Sequence, residues 1–229
     1  MCTHVDKYTN SSAGAMPNTK KLPGAHFWVH GFAHSDSVDP SKATDEAIPS
    51  NHAPRKWCSK KQNRAIGCSS SLKRGEAVDE LICNPSSALH AMFKAELAKH
   101  KLSIESWQRC IEVPASAPPI FQGFAPVLDC LCIETKSKRS SGSFVPIEVK
   151  ACRPRKLKRR TSKDAGLRRP FDNYADNWGL RHQLQLCLQN AALGNVKPRG
   201  FVAYVDTQKP SVTLVKLNKD LWAIAIKSA

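Results

Sequence analysis

The sequence predicts an α/β fold, a central mixed β-sheet flanked by helices, on three observations. Two apolar runs, residues 124–135 and 144–152, read as strands joined by a polar loop at 136–143 rich in Ser, Lys and Arg. Helical periods stand on either side of them, at 72–101 and 176–193. Two further strand-like runs, 200–206 and 211–217, follow around the turn at 207–210. Strands interleaved with helices favour a sheet covered on its faces.

The central pair of strands carries the chemistry. Asp129 interrupts the first, and Glu148 and Lys150 interrupt the second. Carboxylates and an ammonium in sheet positions are costly to bury unless they pair or bind a metal. Side chains two apart on a strand share a face, so Glu148 and Lys150 point together while Val149 packs behind. A hairpin pairing of the two strands places Asp129 across from Glu148. Two carboxylates and a lysine so arranged suit phosphodiester hydrolysis, with Mg²⁺ or Mn²⁺ on Asp129, Glu148 and the carbonyl of Val149. Lys150 would orient or deprotonate the attacking water, or stabilise charge on the phosphate.

Length and composition set the frame. The 229 residues suffice for one sizeable domain, and 41% hydrophobic with 24% charged residues suits a packed core. With 35 basic against 19 acidic residues the net charge is +16, which points to a polyanionic partner, nucleic acid first. Nine cysteines include no CxxC pair, which argues against a zinc ribbon and for free thiols in a reducing, intracellular compartment. No run approaches the roughly 18 apolar residues of a membrane span, so no membrane association is expected.

Residues 1–55 are expected to be a poorly ordered tail with one packing segment, and 56–229 the functional domain. His26, His30 and His34 recur at four-residue spacing within the tail's aromatic island, but a packing role outweighs metal binding because no carboxylate or Cys completes the set. One helix is predicted at 72–83. A second follows to about 101, with Asn84 as N-cap and Pro85 at the first position. A third, short helix is predicted at 104–111. The segment 153–170 is a basic loop without apolar period. Its Arg153, Arg155, Lys156, Lys158, Arg159 and Arg160 are expected to contact nucleic acid or to form a nuclear import signal. On the helix at 176–193, Arg181, Gln185 and Gln189 form a polar stripe, while Gln183 flanks the apolar face and needs a partner.

Leu128-Asp129, then Ile147-Glu148-Val149-Lys150, then a helix bearing Gln183 to Gln189, resembles the PD-(D/E)xK nuclease superfamily. The similarity is to the branch that includes the RecB nuclease domain, lambda-type exonucleases and Cas4. It spans about residues 70–205. The resemblance implies a restriction-endonuclease-like core, metal ligation by Asp129 and Glu148, a catalytic Lys150 and a supporting Gln183. In the upstream helix Asp79 stands where relatives carry a His ligand, and Cys187 stands where a Tyr is frequent. Cys187 is the last cysteine, so no iron–sulfur cluster is expected. The implied function is a metal-dependent DNA nuclease, foremost an exonuclease of recombination, repair or replication, taking duplex ends or single strands. The alternatives are an endonuclease and a catalytically silent nucleic-acid-binding protein. A homo-oligomer, a recombination or replication partner, and a nuclear, viral or mobile-element setting are all compatible with it.

Overall fold

The computed structural model describes residues 22–32, 67, 70–135, 143–152, 167–171, 174 and 177–227, apart from the side chains of His26, Phe27, His30, Ser71 and Leu72. Five strands form one mixed sheet in the spatial order β1-β2-β3-β4-β5: Leu102–Cys110, Val127–Glu134, Phe144–Lys150, Phe201–Asp206 and Ser211–Lys216. The first three make an antiparallel meander. Strand β4 pairs parallel to β3, and β5 returns antiparallel at the edge. The helices are α1 (Ala25–Gly31), α2 (Ser71–Cys83), α3 (Ala88–Lys99), α4 (Trp178–Ala192) and α5 (Lys219–Lys227). A parallel pair needs a crossover, and α4 supplies it between β3 and β4.

Two apolar cores lie on opposite faces of this sheet. Val78, Ile82, Phe93 and Leu97 of α2 and α3 pack on Cys130, Cys132, Ile147, Val149, Ala203 and Val205. On the other face Leu184, Leu188 and Ala191 of α4, Trp28 of α1 and Trp222 of α5 pack on Val202 and Tyr204. The helices start where short polar caps satisfy their first amides. Ser70 Oγ accepts from Lys73 N at 3.2 Å, and Asn177 Oδ1 accepts from Leu180 N at 2.9 Å. At Gly200 a side chain is excluded: φ is +108°, and a Cβ would sit 2.7 Å from the Pro146 carbonyl oxygen of β3.

Two expectations need correcting. Residues 104–110 of the predicted helix 104–111 belong to strand β1 instead. The register shifts between Ile104 and Ser106, so Ile104 and Trp107, three apart, both pack on the α3 side. A bulge therefore imitates a helical period. Helix α3 starts later than predicted. Asn84 makes a turn, accepting from Ser86 N at 3.0 Å, and Ser87 is the cap. The run Leu221–Ile226, left unassigned from sequence, lies in helix α5. As expected of a packing segment, Trp28 and Val29 are buried. The side chains of His26 and His30, residue His34, the loop 136–142 and the basic segment 153–166 lie outside the described residues.

Candidate metal centre

Strands β2 and β3 pair with Cys130 opposite Ile147, so one further register step sets Asp129 opposite Glu148. One Asp129 carboxylate oxygen accepts the Val149 amide at 2.8 Å, which locks the carboxylate across the strand pair. Glu148 is only 5% exposed. One of its oxygens accepts from the Lys150 ammonium and the other from the Gln189 amide. Gln189 is fully buried, and the same amide also reaches the Val127 carbonyl at 3.2 Å. Helix α4 thus lays one glutamine over both strands of the hairpin.

Three acids share one field. Burial first, then the charges of Glu148 and Asp79, push the Asp129 carboxyl well above its ordinary range, against the opposing pull of Lys150 and the Val149 amide. Asp79 on α2 therefore lies close enough to be felt at Asp129. For Lys150, burial alone would lower the pKa, but the charges of Glu148 and Asp129 outweigh it and raise it. A lysine so held stays an ammonium at neutral pH, which favours an orienting or charge-stabilising role over that of a base. His182, on α4, contacts the Tyr204 hydroxyl at 3.3 Å. Burial, then Lys150 and Arg181, hold its imidazole well below its usual pKa and so neutral.

Gln183 is not brought to this site. Its amide donates to the Lys216 carbonyl at 3.3 Å, and its carbonyl accepts from Asn218 N at 2.8 Å. It pins the junction between β5 and α5. The glutamine that meets Glu148 is Gln189, a member of the stripe at 181, 185 and 189. That stripe was the available signal: three polar side chains at helical spacing on a helix with buried residues all along it. The predicted nucleic-acid contacts Arg153, Arg155, Lys156, Lys158, Arg159 and Arg160 lie outside the described residues.

A divalent cation fits what is present. Two buried or half-buried carboxylates, Asp129 and Glu148, stand beside Lys150, with the charge of Asp79 felt at Asp129. The carbonyl oxygen of Gln189 is buried without a hydrogen-bond partner beside Glu148. Hard oxygen donors of this kind suit Mg²⁺ or Mn²⁺. The acids alone do not complete a cage: among the described residues no three His, Cys, Asp or Glu side chains are placed to hold an ion together. Asp79 reaches Asp129 through its charge. The holding set would be Asp129, Glu148 and the Val149 carbonyl, with water.

The described cysteines 83, 110, 130, 132, 152 and 187 are free thiols. Cys187 sits in the α4 core, its thiol pushed upward in pKa by burial. No described helix is long and apolar enough to cross a membrane. Compared with known proteins, the chain matches no protein-family model and no curated sequence.

Proposed function

We propose that this chain is a metal-dependent DNA nuclease, foremost an exonuclease of recombination, repair or replication, built on a restriction-endonuclease-like core. One observation carries the reading: Asp129, Glu148 and Lys150 converge on the paired strands β2 and β3, and Gln189 of the crossover helix closes over Glu148. The order of helix, antiparallel meander, crossover helix and parallel strand agrees with that reading. So does the net charge of +16, which suits phosphate contacts of low sequence preference and steep salt dependence.

Asp129 and Glu148, with the Val149 carbonyl, would hold Mg²⁺ or Mn²⁺. When bound, the cation lowers the pKa of a water and offsets charge growing on the phosphate. The protein's own groups then divide the work. The Val149 amide keeps Asp129 from rotating, and Gln189 does the same for Glu148. The Lys150 ammonium, turned from Glu148 toward substrate, would orient the water and stabilise the equatorial phosphate oxygens. As the water oxygen bonds to phosphorus and gives its proton to solvent, the bond to the leaving oxygen of the neighbouring nucleotide breaks and that oxygen takes a proton from solvent.

The test is to incubate linear and closed circular DNA with the protein and Mg²⁺ or Mn²⁺, beside Asp129→Ala and Lys150→Ala. Loss of linear DNA that both substitutions stop is the expected result, and cleavage that survives both overturns the site. Cut circles would mark an endonuclease. The ion pair already occupying Lys150 favours one alternative, a silent binding protein, which salt-sensitive binding without cleavage would support.

A further inference from the structure

Helix α4 presents a second feature toward this site. Trp178 opens the helix half-buried, yet among the described residues it packs into neither apolar core. Its ring is instead held by polar neighbours. The Arg181 guanidinium lies over it at 5.3 Å from the centroid, and the His182 ring is next to it at 6.4 Å. His182 in turn meets the Tyr204 ring at 5.8 Å. Tyr204 pairs with Lys150 across β3 and β4 and is 2% exposed. The three rings therefore descend from a half-exposed indole to the lysine of the carboxylate site.

Among the described residues, neither apolar core accounts for an indole in this position. A flat apolar ring with a guanidinium held over it matches a nucleic-acid strand: the base stacks, and positive charge nearby suits the adjoining phosphates. The ring needs an unpaired base, because a base inside a duplex already has both faces covered.

We infer that Trp178, backed by Arg181 and His182, is a stacking platform for an unpaired base of a DNA strand entering the carboxylate site. This rests on the nucleic-acid part of the function proposed above and assigns it a substrate form, a single-stranded or frayed end. Arg181, itself 7% exposed, fixes the indole by lying over its ring. Tyr204 and His182 tie the platform to the strand that carries Lys150.

The full-length chain carrying Asp129→Ala allows binding to be read without cleavage. Fluorescence anisotropy with a fluorescein-labelled single-stranded oligodeoxynucleotide should show Trp178→Ala weakening binding roughly 5- to 100-fold. A blunt duplex should bind equally well with or without the substitution. Trp178→Phe should restore most of the single-strand affinity. Oligonucleotides with abasic end nucleotides should bind the Trp178 protein more weakly, a penalty that disappears in Trp178→Ala. Unchanged single-strand binding, or an equal loss for duplex and single strand, overturns the platform. A parent that binds no DNA at all overturns both the platform and the nucleic-acid reading. Trp178-dependent binding by a wild-type protein that never cleaves sustains the platform and removes only the nuclease activity.

Discussion

Strand β3 shows two environments separated by one residue. Ile147 and Val149 face α2 and α3 in a core whose buried members are all apolar. Glu148 and Lys150, on the alternate face, meet Asp129, Gln189 and the His182–Tyr204 pair. Both faces are largely closed to water, so exposure is not what separates them. The difference lies in what the covering helix brings. Helices α2 and α3 cover their face chiefly with Val, Ile, Leu and Phe, although α2 also carries the buried Arg74 and the Asp79 felt at Asp129. Helix α4 instead brings glutamines, a histidine and an arginine among its leucines. One face stabilises the sheet, and the other holds charge in place at some cost to stability. The lesson is that a strand's period of two can support a packed core and a reactive site at once.

The sharpest way to break the comparison is to remove a charge from the polar face. Lys150→Ala should lower DNA cleavage by on the order of 10³-fold, measured as single-turnover rates per folded molecule, with some loss of melting temperature because the buried Glu148 loses its partner. On the apolar face the opposite is expected. Ile147→Ala should cost about 2–5 kcal/mol of folding stability in urea titration, with residual activity per folded molecule near normal. A similar loss of both quantities in both variants would dissolve the distinction between the faces.

A finer cut separates the two glutamines of α4. Gln189→Ala should reduce cleavage about 10- to 100-fold by freeing Glu148. Gln183→Ala should leave cleavage intact and cost about 1 kcal/mol of stability, because its partners join β5 to α5. Equal kinetic effects would place the Glu148 contact in doubt.

The smallest expected effect is a pH dependence. The folded-state pKa of Asp129 is raised, so between its unfolded value and that raised value the folded chain holds the extra proton. Stability of the metal-free protein should then fall as pH rises through this window, and the penalty should persist above it. Thermal melts of Asp129→Asn should show a flatter profile across the same range. Added Mg²⁺ should stabilise the wild type at the high end of that window, and the variant less.

The difference between the faces was partly visible before any coordinates. Asp129, Glu148 and Lys150 stand out because charge within apolar strand-like runs has few inexpensive explanations. Gln183 was misplaced because its spacing put it next to the buried face, which says that it needs a partner but not which one. Its partner proved to be a strand end 33 residues later, and Gln189 met a carboxylate 41 residues earlier. Strand β1 was misread for a related reason, since its bulge shifts Ile104 and Trp107 onto one side and hides the alternation.

The sequence alone determined what is local: the alternation that puts Glu148 and Lys150 on one side, and the excess positive charge. These follow from backbone periods and composition, which neighbouring residues express without help. Tertiary structure decided which helix covers the acids, which glutamine reaches Glu148, that Asp79 is felt at Asp129, and that Trp178 stands outside both cores. Those outcomes depend on how α4 crosses from β3 to β4 and how closely Gly200 lets the two strands approach. They are relations between distant segments, and a single chain's pattern does not encode them position by position.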